Sequence, residues 1–321
     1  MPPRPGTGGR LRRLLTVPDG AYRGALGVVA ALFAILLVVF VASTVIQARP
    51  AFAHFGLSFF TSTKWDPVHA HYGALVFLVG TLEATLIAMA IAVPIGLGAA
   101  LALAFGVPQR LRMTLGTAVE LLAAVPSVVY GLWGLLVVAP WVRTIIEPAL
   151  AHITGGHGPF SGSQLGVGLL LAGVILAIMV LPTMVAISRD VLMAVPEVEI
   201  EGAFALGATR WQVMRRVVVP SARAGILGAT TLATGRALGE TIAVTMVIGN
   251  TDHFTHSLFG TTQTMASLIA NEFTEATEPF HLASLIAVGV LLLVVSVVVN
   301  LAARLLVRSV GRQRAFGIGV L

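Results

Sequence analysis

The sequence of 321 residues contains no cysteine, which excludes disulfides, thiolate catalysis and cysteine-ligated metal sites. Charged residues make up only 11% of it, whereas an average soluble domain carries about 25%. This shortage of solvent-facing side chains argues against a soluble enzyme and against a disordered tail. The only lysine, Lys64, lies in the sequence Ser-Thr-Lys-Trp, and therefore not in the Gly-Lys-Ser/Thr core of a nucleotide-binding P-loop. We therefore predict no ATP binding by that route, and no enzymatic activity by the chain alone.

Hydrophobic residues account for 57% of the chain, and they come in long runs. Six runs each hold the ~20 apolar residues that a helix needs to cross a hydrocarbon core of ~30 Å. Only helices or closed barrels satisfy the backbone in lipid, and these runs are too long for barrel strands. The first run also exceeds the 7–15 residues of a signal-peptide core, so we expect it to be retained. The sequence predicts an all-α integral membrane protein with transmembrane helices at residues 24–47, 74–105, 115–139, 165–187, 225–249 and 281–303.

The basic residues are distributed unevenly between the two sides of this arrangement. Sixteen of the twenty lie in residues 1–23, 106–114, 188–224 and 304–321, and three lie in the alternate connections. Positive charge marks the cytoplasmic side of membrane proteins. Both termini are therefore predicted to be cytoplasmic. This asymmetry also explains the net charge of +6 without a nucleic-acid partner.

The twentieth basic residue, Arg236, lies inside the fifth predicted span, near the middle of the membrane. A charge there costs at least ~2.5–3.5 kcal/mol on insertion scales, so a compensating interaction is expected. Glu240 is four residues further on, within pairing range if the helix is continuous. One interpretation is a structural ion pair. The favoured one is an anion pathway, because a guanidinium suits phosphate or sulfate oxygens.

Glu83 and Glu120 are the other acids within the predicted spans. Glu83 is grouped with Arg236 and Glu240 in the candidate pathway, although a hydrogen-bonded packing role fits either acid equally well. Glu120 is close enough to the start of its span to reach the cytoplasmic boundary.

The inner connection at residues 195–220 has the features of a helix–turn–helix. Gly207 can end a first short helix in a left-handed conformation. Thr209 and Gln212 can form a capping box for a second short helix. The apolar residues 203–206 cluster at the turn, where the groove of a partner could accept them. The alternative is an amphipathic helix resting on lipid headgroups.

This connection resembles the EAA loop of binding-protein-dependent ABC importer permeases. Glu201-Gly202-Ala203, Gly207, Val217, Val219 and Pro220 match its pattern at every spacing, with mild departures at Gly202, Val217 and Val219. The resemblance implies a type I (MetI-like) permease core at residues 73–304, after a first unit at residues 1–72 and before a cytoplasmic tail at residues 305–321. It also implies docking on a separate ATPase, which would carry the ATP and magnesium. The residues assigned to this coupling are Glu201, Gly202, Ala203, Phe204, Ala205, Leu206 and Gly207.

Further motifs are similar to those of the phosphate-specific permeases in this family. They are Trp65–Val68, Tyr72–Leu75, Gly80–Leu82, Ala124–Gly131 and Gly235–Thr241. The resemblance implicates Arg236 and Glu240 in phosphate translocation, and Ser127, in the fourth motif, is included in the candidate pathway.

The same resemblance implies a multi-pass protein of a bacterial cytoplasmic membrane. Its expected partners are membrane lipid, inorganic phosphate, a homologous permease of the PstA type, a dimer of PstB-type ATPases and a phosphate-binding protein of the PstS type. Two alternatives stay open. One is a permease for another oxyanion such as sulfate or phosphonate, and the other is a stand-alone ion-coupled anion transporter.

All eight histidines fall in or beside the predicted outer segments. Two pairs, His69 with His71 and His253 with His256, have spacings that suit metal binding. Without cysteine and with few acids nearby, we expect solvated loop residues and no metal site. The outer segment from Asp252 to Glu278 has four acids and no lysine or arginine. It suits a landing surface for a binding protein, or an ordinary outer loop.

Overall fold

The computed structural model describes residues 19–317 and is almost entirely helical. Within these residues, six helices are long and apolar enough to cross a membrane, which confirms the predicted number of spans. In chain order the elements are α1 (Asp19–Phe55), α2 (Ser58–Thr61), β1 (Trp65–Asp66), β2 (His71–Tyr72), α3 (Leu75–Gly106), α4 (Gln109–Ala123), α5 (Ser127–Thr154), α6 (Leu169–Met193), α7 (Glu197–Ala205), α8 (Arg210–Leu238), α9 (Ile242–Val247), α10 (Met265–Glu272) and α11 (Pro279–Gly317). The spanning helices are α1, α3, α5, α6, α8 and α11. The basic segment before residue 19 and the last four residues lie outside the described part of the chain.

The third span lies further along the chain than predicted. Residues 115–123 belong to α4, which ends at a break over Ala124–Pro126. The span itself is α5, and it includes two charged residues, Arg143 and Glu147. Pro126 accounts for the break because it has no backbone N–H and disfavours helical conformation in the residue before it. Glu120 therefore lies on α4 and outside the spans, contrary to the prediction.

The fifth span, in contrast, begins and ends earlier than predicted. α8 starts at Arg210 and ends at Leu238, with π-helical geometry over Met214–Val218. The second helix of the predicted helix–turn–helix is thus not a separate short helix but the start of this span. The chain leaves helical geometry at Gly239–Thr241 and resumes as α9. Glycine and a β-branched residue are both weak helix formers, which fits the position of this break.

A core of small residues joins the central helices α3, α6 and α8. Ala88, Ala92, Ala177, Ala229 and Ala233 are all fully buried in it. Small side chains let membrane helices approach closely, since lipid gives no hydrophobic drive for their association. α4 packs against the C-terminal part of α6, and its Glu120 forms an ion pair with Arg189 at 3.5 Å. α8 is thus packed against α3 and α6, and α4 supports α6.

A second core lies at the other end of the bundle and joins α1, the β1–β2 hairpin, α10 and α11. β1 and β2 are antiparallel, with Trp65 opposite Tyr72. The Glu272 carboxylate accepts hydrogen bonds from the Trp65 indole at 2.8 Å and from His281 at 2.9 Å. His281 is buried. Burial, and then the Glu278 and Glu272 carboxylates, raise the pKa of the Tyr72 hydroxyl.

Of the two boundaries predicted between units, one falls between elements and the other falls inside a helix. Residue 72 ends β2, so the boundary at residues 72/73 falls just before α3. The boundary at residues 304/305 falls inside α11, which continues without interruption to Gly317. α1 is likewise continuous, from Asp19 to Phe55, and Ala51 near its end is fully buried.

Candidate functional site

The guanidinium of Arg236 is held by a contact between two spans. Arg236 lies in the last turn of α8 and is partly buried. Its Nη1 donates a hydrogen bond to the Thr183 hydroxyl oxygen at 3.1 Å. Thr183 lies in the middle of α6, next to Pro182. Arg236 thus lies two residues before the end of its span, and not about midway along it as the sequence predicted.

A cavity of about 520 Å³ opens beside this arginine. Its lining residues come from three spans, namely Thr183 of α6, Leu232, Gly235 and Arg236 of α8, and Asn300 of α11. This lining contains one positive charge, a hydroxyl and an amide, and no carboxylate. A site of this composition can donate hydrogen bonds to an anion.

The predicted pairing of Arg236 with Glu240 does not form. Among the described side chains, no ion pair links these two residues. The break at Gly239–Thr241 lies between them, so the spacing of four residues no longer places them on one helical face. Glu240 instead accepts a hydrogen bond from the backbone N–H of Ala243 at 3.3 Å. The carboxylate therefore caps the first turn of α9, where the helix dipole favours negative charge.

Tyr130, near the start of α5, approaches this region. Ser127 is the first residue of α5 and is partly buried. Tyr130, one turn later, is buried, interacts electrostatically with Arg236 and donates a hydrogen bond to the Leu122 carbonyl at 2.8 Å. α5 also packs closely on α9, since a Cβ at Gly131 would lie 2.9 Å from the Ala243 Cα. The start of α5, α9 and the end of α8 therefore meet around Arg236.

Glu83 lies apart from that cavity. It borders a small closed space with Val76, Gly80, Phe254 and Thr262, and it interacts electrostatically with His256. Its neighbours thus belong to α3 and to the loop between α9 and α10. The structure does not bring Glu83 into contact with Arg236, and the two residues line different cavities.

Glu147 is a buried acid that the sequence did not assign to a span. It is 1% exposed and accepts a hydrogen bond from the backbone N–H of Gly166 at 3.1 Å. The neighbouring Arg143 gives it favourable electrostatic interaction. The role of Glu147 is thus to hold the chain entering α6 against α5.

The inner connection has the local geometry that its sequence predicts. Gly207 has a φ of +81°, and α7 ends with the hydrogen bonds Ala208 N–H to Ala203 O and Gly207 N–H to Phe204 O. This pair of bonds defines a Schellman motif. Thr209 and Gln212 form the predicted capping box at the start of α8. Pro196 precedes α7 and is its N-cap residue.

The residues assigned to coupling lie on an open surface. Of the seven, only Ala203 is partly covered, and the others are exposed. Leu206 is 91% exposed and Phe204 42% exposed, and the nearby Trp211 is 68% exposed. Within the described residues, this turn therefore presents large apolar side chains without a covering element. Exposed apolar clusters of this kind mark interaction surfaces.

Thr183, Asn300 and Tyr130 were not singled out from the sequence, although Tyr130 lies in a motif that was. Pro182 gave a partial signal, since a proline in a span frees a backbone carbonyl that can line a cavity. Asn300 stands out as an amide in the apolar run Val297–Leu301. Their convergence on Arg236 depends on helix packing and leaves no pattern in the sequence.

The chain matches the family model described as "Binding-protein-dependent transport system inner membrane component" over residues 92–312. It is 46% identical over 258 residues to the phosphate transport system permease protein PstC of Mesorhizobium japonicum, covering 79% of each chain. It is 38% identical over 325 aligned positions to PstC 1 of Mycobacterium tuberculosis, covering 92% of this chain and 94% of the relative.

Solved structures of ABC transporters show the same fold. A bacterial alginate ABC transporter chain aligns with a TM-score of 0.60 at 16% identity, covering 89% of this chain and 94% of that chain. A chain of the MetNI methionine transporter in an inward-facing conformation aligns with a TM-score of 0.56 at 20% identity, covering 77% and 99%. Six apolar helices and the matched family together make this a multi-pass protein of the bacterial cytoplasmic membrane. The chain belongs to the family of binding-protein-dependent transport system inner membrane components and, within it, to the PstC permeases.

Proposed function

We propose that this chain is the transmembrane permease subunit of an ATP-driven importer of inorganic phosphate. The observation that carries the proposal is the cavity beside Arg236, which combines a guanidinium, a hydroxyl and an amide inside the bundle. The names of the PstC relatives supply the choice of phosphate among the oxyanions.

The proposed orientation places both termini and the turn of residues 203–207 in the cytoplasm. This turn would dock on a separate ATPase of the PstB type, present as a dimer that carries ATP and magnesium. The exposed Phe204 and Leu206 support this role, since a docking groove would remove their apolar surface from water.

A homologous permease of the PstA type would complete the translocation pathway. The support is the open side of the Arg236 cavity, between α8 and α11, where Leu232 is exposed. A second permease packed there would enclose the anion and exclude lipid.

Transport would begin at the outer face, where a phosphate-binding protein of the PstS type delivers its ligand. Closure of the ATPase dimer would then switch the permeases from inward-facing to outward-facing. During passage Arg236 would supply countercharge in a region of low dielectric, where an unpaired anion is costly. Thr183 would keep the guanidinium oriented towards the cavity.

The test is purification of the membrane complex, identification of its subunits, and measurement of radiolabelled phosphate uptake in proteoliposomes with the binding protein present. The expected result is a co-purified ATPase and uptake that requires ATP hydrolysis. Uptake driven by an ion gradient, with no ATPase in the complex, would contradict the proposal. Uptake of sulfate or phosphonate in place of phosphate would show that the substrate assignment is wrong.

A further inference from the structure

Asn300 is an amide within an otherwise apolar part of α11. Val297, Val298 and Val299 precede it and Leu301 follows it. A polar group at such a position costs free energy unless it is hydrogen-bonded. Asn300 Nδ2 donates one hydrogen bond, at 2.8 Å, to the Ser296 carbonyl of the same helix. One N–H and the amide oxygen then have no hydrogen bond within the described residues, although both are able to form one.

The amide lies directly against the helix that carries Arg236. An ideal Cβ built on Gly235 would be 3.6 Å from both the Nδ2 and the Oδ1 atoms of Asn300. A side chain larger than alanine at position 235 would therefore compete with Asn300 for this space. Because Gly235 has no side chain, Asn300 and Arg236 line one cavity from two different spans.

Contacts within this chain give the amide no packing role. Polar residues that join membrane helices do so by hydrogen bonds across the interface. The only hydrogen bond of Asn300 in the described part of the chain stays within α11. An apolar residue of similar size would fill the space and favour the helix more than asparagine does. The amide is thus costly for packing, and it is placed where an anion would pass.

The cavity offers both donors and an acceptor. Arg236 and the second N–H of Asn300 can donate, and the Thr183 hydroxyl, which accepts from Arg236, can donate its own hydrogen. Asn300 Oδ1 can accept. At neutral pH inorganic phosphate has unprotonated oxygens that accept hydrogen bonds and at least one P–OH group that donates. The cavity therefore matches a partly protonated tetrahedral oxyanion.

We propose that Asn300 contacts the translocated phosphate directly, beside Arg236, with its N–H bound to a phosphate oxygen and its Oδ1 accepting from P–OH. This inference rests on the proposed function and adds a substrate-contacting residue from α11. It predicts that Asn300 controls how much phosphate moves for each ATP hydrolysed.

The experiment compares Asn300→Leu and Asn300→Gln in the complete complex, reconstituted in proteoliposomes with its binding protein. Phosphate uptake and ATP hydrolysis are both measured per assembled complex. Asn300→Leu should lower the phosphate moved per ATP by about tenfold or more, as expected for a lost hydrogen bond to a charged group. Asn300→Gln, which keeps the amide, should recover part of that loss. Ser296→Ala is the matched control, since it removes a polar side chain one turn away and keeps the backbone carbonyl.

Unchanged phosphate per ATP in Asn300→Leu would overturn the inference, and so would equal losses in the leucine and glutamine variants. An impaired Ser296→Ala control would also count against it, because α11 would then be sensitive to any change. The unaltered complex separates the two proposals. If it takes up phosphate with ATP while Asn300→Leu is normal, only this inference fails.

Discussion

Arg236 of α8 donates a hydrogen bond to Thr183 of α6 at 3.1 Å, and this contact replaces the expected ion pair with Glu240. The consequence is electrostatic. A paired carboxylate would neutralise the guanidinium, whereas a hydroxyl orients it and leaves its positive charge available to an anion. This arrangement supports the proposal that Arg236 binds the anion.

Thr183→Val removes the hydroxyl while keeping the shape of the side chain. We expect phosphate uptake per ATP to fall about fivefold to tenfold, because a hydrogen bond to a charged group contributes about 1.5–3 kcal/mol. Thr183→Ser, which keeps the hydroxyl, should retain most of the uptake. Thr234→Val is the control, since within the described residues the Thr234 hydroxyl bonds only to the Thr230 carbonyl of its own helix. Equal losses in the control would show that α8 tolerates no such change, and would remove support for the Thr183 contact.

Gly207→Ala should weaken the turn between α7 and α8. The φ of Gly207 is +81°, and left-handed geometry costs a residue with a Cβ about 1–2 kcal/mol. We expect less ATPase subunit to co-purify with this variant. Gly98→Ala, in α3 and outside the residues assigned to coupling, is the matched control, because a Cβ built there meets no neighbouring atom within 4 Å. The control should bind the ATPase normally. If the control lost more ATPase than Gly207→Ala did, the assigned turn geometry would be refuted.

Leu206→Asp places a charge on the most exposed apolar side chain of the turn, which is 91% exposed. The permease should fold as before, because that side chain has little contact with the rest of the chain. Co-purification of the ATPase should fall at least about tenfold if Leu206 enters an apolar groove, since burying a charge there is strongly unfavourable. Leu57→Asp is the control, with 82% exposure in the connection between α1 and α2. Normal ATPase binding by Leu206→Asp would argue against docking through this turn.

Asp252→Asn should stabilise the permease in a pH-dependent way. Burial, and then repulsion from Glu272, raise the pKa of Asp252 above its ordinary value of 3.8. A raised pKa means that the folded state favours the protonated acid, so the stability this group supports is present at low pH and is lost as pH rises through the folded pKa. The melting temperature of Asp252→Asn should therefore exceed that of the parent at pH 7, and the difference should shrink towards pH 4. A gain that is constant with pH would contradict this cause.

The sequence predicted the number of spans well and two of their positions poorly. The predicted third span ran through Pro126 and stopped before Arg143 and Glu147, because charged residues were expected to lie outside the membrane. Glu147 is tolerated within α5 because the Gly166 N–H and Arg143 compensate its burial. The Gly166 N–H lies 19 residues away in sequence and outside α5, so hydropathy alone could not reveal this contact.

The candidate site was predicted in part. Arg236 could be identified because a charged side chain in an apolar run costs free energy, and this holds even when the predicted helix boundaries are wrong. Its partner could not, since the prediction of Glu240 assumed a continuous helix across Gly239. Thr183 and Asn300 reach the cavity only through the packing of α6 and α11 on α8. The local signals of the inner turn, Gly207 and the Thr209 cap, depend on neighbouring residues alone, and both were predicted correctly.

The central claim, that phosphate crosses the membrane past Arg236, is tested most directly by Arg236→Ala in the reconstituted complex. The measurement is radiolabelled phosphate uptake per ATP hydrolysed, with binding protein in excess and the amount of assembled complex determined for each sample. We expect ATP hydrolysis to persist while phosphate uptake falls at least about a hundredfold, as loss of an unscreened countercharge in a low-dielectric region implies. Phosphate uptake by Arg236→Ala equal to that of the parent complex would contradict the account.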